Sequence, residues 1–175
     1  MNAISQSKWD ESVVIALGSN LAGALASCEA LLEAALAMFP VHGLTVTARS
    51  GWWRSAAWPD PTAPEYRNGV VLAETALTPR ETLDALHVIE RAFGRERHEP
   101  NAARTLDLDL IAHGRQVLDA PGLHLPHPRA HERLFVMGPL AEIAPDWRHP
   151  VVGETAAALA VRASVGADAV SPTPT

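Results

Sequence analysis

Leu106, Leu108 and Leu110 alternate with Thr105, Asp107 and Asp109, a period of two that predicts a strand over 104–111 with one buried face. Other stretches carry different periods. Residues 12–17 form a β-branched run that ends at Gly18-Ser19-Asn20, which predicts a buried strand and a tight turn. Leu25, Cys28, Leu31, Leu32, Leu36 and Phe39 follow helical spacing over about 22–38, and Pro40 and Gly43 close that element. Strands are predicted over 44–54 and 68–76, separated by a Pro- and Ala-rich loop from Ser55 to Pro64. Thr78-Pro79-Arg80-Glu81 is a capping box with proline at the first helical position; Leu83, Leu86, Ile89 and Phe93 make the apolar stripe, and Gly94 ends it.

Beyond the aspartate strand the chain turns near His113-Gly114 toward Val117-Leu118. An extended Leu125-Pro126-His127-Pro128 segment then leads to a helix near 131–142 and an amphipathic piece over about 153–162. The order strand, helix, strand, strand, helix, strand is the split βαβ arrangement of ferredoxin-like folds. The expectation is an α+β single domain over 11–162, an antiparallel sheet with two helices packed on one face, with flexible ends at 1–10 and 163–175.

Composition narrows the class. A chain of 175 residues with 47% hydrophobic and 19% charged residues supports one well-cored domain. Charges break every apolar run well before membrane-spanning length, and Met1–Asp10 lacks the layout of a secretory signal. The single cysteine, Cys28, falls among apolar helix positions and reads as core packing; one cysteine makes no internal disulfide, which fits a reducing, cytoplasmic setting. A net charge of −6 argues against a broad nucleic-acid surface. Lys8 is the only lysine among fourteen basic residues, so a Schiff-base lysine and a Walker-type phosphate loop are both excluded. Any phosphate must be met by arginine and metal.

The chemistry gathers at the aspartate strand. Asp is a poor strand residue, yet two stand on one face, with Cα atoms roughly 7 Å apart. A solvated outer face would explain an isolated D-x-D. Arg91, Arg95, Arg97 and Arg104 crowd the approach to it, and acidic ligands beside arginines suit a magnesium-bound polyphosphate. Gly18-Ser19-Asn20 offers either backbone N–H groups to a ligand or a helix cap. His127 and His131 have the spacing of a zinc pair on a helix, but Pro128 puts His127 ahead of the helix. An asparagine at 68, buried at a strand start, needs a polar partner, and a planar heterocycle is one candidate.

Taken together, Ala16-Leu17-Gly18-Ser19-Asn20-Leu21, Tyr66-Arg67-Asn68, Arg104-Thr105-Leu106-Asp107-Leu108-Asp109, Pro126-His127-Pro128 and Glu132-Arg133-Leu134-Phe135-Val136 through Pro139-Leu140-Ala141-Glu142-Ile143-Ala144-Pro145 resemble 6-hydroxymethyl-7,8-dihydropterin pyrophosphokinase of folate biosynthesis. The resemblance spans about 12–150. It implies a ferredoxin-like fold and transfer of the terminal pyrophosphate of ATP to the pterin hydroxymethyl group, with release of AMP.

By the same resemblance Asp107 and Asp109 hold two Mg2+ ions, and Arg95 and Arg97 sit on a catalytic loop. Glu90, Arg104, His127 and Arg133 serve ATP, while Gly18, Ser55, Trp58, Tyr66, Asn68 and Phe135 serve the pterin. No strong general base is evident, which leaves Asp107 or Asp109 to route the hydroxyl proton. The implied partners are two small molecules, with no nucleic acid, no membrane and a monomeric chain. Three features depart from the family pattern: Asn101 replaces a loop tryptophan, that loop is a residue shorter, and Ser55-Ala56-Ala57-Trp58 replaces a Pro-Pro-rich loop. Two rivals stand beside this reading, another Mg-dependent phosphotransferase or nucleotidyltransferase with the same acidic pair, and a non-catalytic ferredoxin-like binding module. RNA-binding versions of that module place aromatic and basic residues where this strand has aspartates.

Overall fold

A computed structural model describes residues 8–57, 60–94 and 105–172. In chain order the elements are β1 (Val13–Ser19), α1 (Cys28–Met38), β2 (Thr45–Arg49), β3 (Trp53–Ser55), β4 (Tyr66–Glu74), α2 (Pro79–Ala92), β5 (Asp107–His113), β6 (Leu118–Ala120), β7 (Leu123–Leu125), α3 (Leu134–Ile143) and α4 (Ala156–Arg162). The main sheet runs β2-β4-β1-β5, with β3 also on β4, and its pairings are antiparallel. β6 and β7 form a small hairpin. This is the expected α+β, ferredoxin-like sheet order.

β1 lies between β4 and β5 and is almost wholly buried, which suits its run of Val, Val, Ile, Ala and Leu. One face packs on α1 and α2 through Ile15, Leu17, Leu31, Leu32, Leu86, Ile89, Leu106 and Leu108. α3 and α4 cover part of the opposite face, around Val14, Val70, Leu72, Ile111, Met137, Leu140, Trp147 and Leu159. The two-helices-on-one-face expectation therefore describes α1 and α2 only. The apolar cluster under α3 and α4 does not include the first residues of β4 and β5, where Asn68, Asp107 and Asp109 stand.

Several boundaries shift for local reasons. α1 begins six residues later than the apolar spacing suggests, because Ser27 Oγ accepts from the Ala30 amide at 3.0 Å. Leu25 is accordingly exposed, and Cys28 is half-buried at the first turn rather than in the core. The strand expected over 44–54 divides into β2 and β3. Ser50 lies between them; its amide donates to the Val70 carbonyl and its Oγ, in place of its own carbonyl, accepts the Val70 amide, both at 3.0 Å. α2 has the predicted capping box, with reciprocal Thr78 and Glu81 bonds.

The ends also depart from expectation among the described residues. Trp9 packs on the core of α3 and α4. Val165 exchanges backbone bonds with Glu132 and Leu134, and Val170 pairs with Arg54. No helix among the described residues is long and apolar enough to cross a membrane.

Candidate active site

Register decides which side chains meet. Gly18 of β1 stands opposite Asn68 of β4 on one side and Asp107 of β5 on the other; Ala16, two residues earlier, stands between Val70 and Asp109. Directly opposed residues in antiparallel strands share a face. The predicted alternation of β5 holds: Leu108 and Leu110 are buried toward α1 and α2, while Asp107 and Asp109 are half-buried on the other face. Between Asp107 and Asn68 lies only Gly18. A Cβ on Gly18 would stand 3.2 Å from Asn68 Oδ1, so any larger residue would press on the amide.

Asn68 is buried, and its Nδ2 donates to Ser55 Oγ at 2.8 Å. Ser55 lies on β3 opposite Tyr66, so the strand pairing joins three of the expected pterin residues. Ser19 is fully buried with its hydroxyl donating to the Leu21 carbonyl. Asn20 is not a helix cap, since Ser27 fills that role; its Nδ2 reaches the Pro64 carbonyl at 3.4 Å.

His127 joins the other flank. Its backbone N–H donates to Ile111 O at 2.8 Å, and its Nδ1 accepts the Arg129 amide, which places the ring proton on Nε2. Burial, joined by the Arg133 guanidinium, pushes its pKa down to about 4 against the opposing pull of Asp107. The ring is a neutral donor set between a carboxylate and a guanidinium. Arg133 caps α3, with its guanidinium carbon 5.8 Å from the centroid of Phe135. His131 turns elsewhere: its ring meets His149 edge-on at 5.2 Å. The Nδ1 of His149 accepts the Val151 and Val152 amides, which fixes its proton on Nε2 and makes it a poor metal ligand there. The zinc reading of the histidines therefore falls.

Glu90 is 2% exposed, and its Oε1 accepts the Leu108 amide at 2.8 Å on β5, the last strand of the sheet on that side. The carboxylate thus braces the strand that carries the two aspartates. Arg95, Arg97, Arg104 and Trp58 lie outside the described residues, as does Asn101.

Sequence reasoning missed the support behind β3. Glu142 of α3 takes the Gly51 amide at 2.9 Å and Trp53 Nε1 at 2.8 Å, one on each carboxylate oxygen. Gly138 lets the Trp53 ring lie on α3, since a Cβ there would stand 2.5 Å from it. The adjacent Trp52-Trp53 pair was the available signal.

Two half-buried carboxylates beside a glycine floor are a hard, oxygen-only donor pair, the ligand chemistry that suits a divalent cation whose remaining ligands are phosphate and water. Among the described residues no cluster of three or more metal-ligating side chains occurs, so the pair would depend on such outside ligands.

A family model for 7,8-dihydro-6-hydroxymethylpterin-pyrophosphokinase matches residues 14–145, three-quarters of the chain. The chain belongs to this family. Its members are pyrophosphate-transferring kinases, and relatives carry that name. The chain is 45% identical over 143 residues to the 2-amino-4-hydroxy-6-hydroxymethyldihydropteridine pyrophosphokinase of Synechocystis sp., covering 81% of this chain and 71% of the relative. It is 41% identical over 140 residues to the enzyme of that name from Pseudomonas aeruginosa, covering 80% and 85%. The wild-type HPPK-DHPS structure of Plasmodium falciparum superposes with a TM-score of 0.66 over 86% of this chain at 11% identity. It supports the pyrophosphokinase-family fold alone, and this chain spans 44% of that longer protein.

Proposed function

We propose that this chain transfers pyrophosphate from ATP to the hydroxymethyl group of 6-hydroxymethyl-7,8-dihydropterin, giving AMP and the pterin diphosphate in folate biosynthesis. The observation that carries the reading is the row Asn68–Gly18–Asp107. Two strand spacings, roughly 10 Å in all, separate a buried amide from a carboxylate across a glycine floor. That span suits a flat ring held by its edge at one end and a polyphosphate at the other.

In this reading Asn68 pairs with the pterin edge while Ser55 fixes which way its amide points, and Phe135 supplies a stacking surface. Asp107 and Asp109 would hold two Mg2+ ions, which supply neutralisation of the phosphate charge when bound. His127, neutral and donating from Nε2, hydrogen-bonds a phosphate oxygen without adding charge. Arg133 adds a bidentate contact, and Arg95, Arg97 and Arg104 complete the cradle. Little covalent chemistry is asked of the protein; orientation and exclusion of water do the rest.

We further read the chain as a cytoplasmic monomer. Its exposed large apolar residues, such as Val41, Val117 and Val161, are scattered along the sequence and not drawn from one element. Light scattering at micromolar concentration tests this. The function itself is tested by incubating the protein with ATP, Mg2+ and the reduced hydroxymethylpterin. AMP formed only when the pterin is present supports the proposal. Pterin-dependent ADP would instead mark a simple phosphotransferase.

A further inference from the structure

The segment after α4 lies beyond residues 14–145 that define the family match, yet it is woven into the site's walls. Val165 donates to the Glu132 carbonyl and accepts from the Leu134 amide, both at 2.9 Å, on either side of Arg133. Gly166 follows with φ +68°, and a Cβ there would stand 2.4 Å from Phe135 Cδ1. The ring of Phe135 therefore lies against bare backbone. The chain then crosses to β3. Asp168 Oδ2 accepts the Ala56 amide at 2.6 Å, Ala169 is buried, and Val170 and Arg54 exchange two backbone bonds at 2.9 and 3.0 Å.

We propose that residues 165–170 are a positioning element for the pterin pocket, a strap that fixes Phe135 at one end and the Ser55 strand at the other. The proposal rests on the pterin reading above. β3 has only three residues, too few to be held by its pairing with β4 alone, and it carries the hydroxyl that orients Asn68. Phe135 sits in the first turn of α3, where its ring is set by what it leans on. A strap tying both lowers the cost of ordering the pocket when the pterin arrives.

The test uses Gly166→Ala, Asp168→Ala and the conservative Asp168→Asn in the full chain, with Phe135→Ala as a reference. Calorimetry reads pterin and ATP-analogue affinity separately, and hydrogen exchange reads the amides of 54–56 and 134–136. Gly166→Ala and Asp168→Ala should weaken pterin binding roughly three- to ten-fold and speed exchange at both wall segments, and Asp168→Ala, at the end away from Arg133, should leave the ATP analogue unchanged. Asp168→Asn, which keeps an acceptor for Ala56, should restore most of the affinity. A merely structural role would weaken both ligands together. Parent-like pterin affinity in both strap variants, with Phe135→Ala weakened, would overturn the strap and leave the pocket standing. Parent-like affinity in Phe135→Ala as well would overturn the pocket reading and the strap with it.

Discussion

Asn68 donates a 2.8 Å hydrogen bond from Nδ2 to the hydroxyl of Ser55, and both side chains are buried. That bond sets the orientation of an amide whose oxygen lies beside Gly18. Asn68→Ala should leave edge groups of the pterin unpaired in a desolvated slot, at a cost of roughly 1–3 kcal/mol of pterin binding. Calorimetry with an ATP analogue alone should show no change.

Asp107→Asn and Asp109→Asn should each give a folded protein with no measurable turnover. Both side chains are half-buried, so the loss falls on cation capture and phosphate charge rather than on the core, on the order of several kcal/mol of transition-state stabilisation. Circular dichroism and AMP release together check this. Near-parent AMP production at ordinary magnesium would remove either residue from the site.

Arg95→Ala and Arg97→Ala should lower kcat more than they weaken nucleotide binding, because catalytic-loop arginines that meet the phosphates fully only at the transition state stabilise that state preferentially. Weaker ATP binding with kcat intact would make these arginines a static cradle. Steady-state kinetics beside equilibrium binding separates the two.

Much of the fold was legible because the elements that form it carry unmixed periods. The Leu106-Leu108-Leu110 alternation and the Thr78–Glu81 capping box each have one structural solution. The aspartate pair was legible for the same reason, since an alternating strand must put both on one face. What sequence could not show was set by tertiary contact. Glu90 is expected from sequence only at the nucleotide, and its bond to the Leu108 amide on the last strand of the sheet could not be read from α2 alone. The 163–172 segment, rich in small residues, has no periodicity of its own and is ordered by backbone bonds to Arg54, Glu132 and Leu134. Ser50 looks like any strand residue, and only the structure shows its hydroxyl taking the Val70 amide where β2 and β3 part.

His149 should make the protein less stable in acid. Its burial, aided by His131 and Arg115, pushes its pKa down to about 4 from the ordinary 6.5. Between those values the unfolded chain binds a proton that the folded chain does not. Stability is therefore full above pH 6.5 and falls as pH drops toward 4, by on the order of 1 kcal/mol at pH 5 from this residue. Urea unfolding at pH 7 and 5 measures the loss. His149→Asn, which retains an acceptor for the Val151 and Val152 amides, should show a smaller one.

The central claim is that a pyrophosphoryl group, not a phosphoryl or nucleotidyl group, moves to the pterin. Phosphorus NMR of the purified pterin product reads this directly. The account predicts two mutually coupled phosphorus signals on the hydroxymethyl carbon's oxygen, with AMP in equal amount. A single uncoupled phosphorus on the pterin with ADP in solution, or an adenylylated pterin with free pyrophosphate, would contradict it.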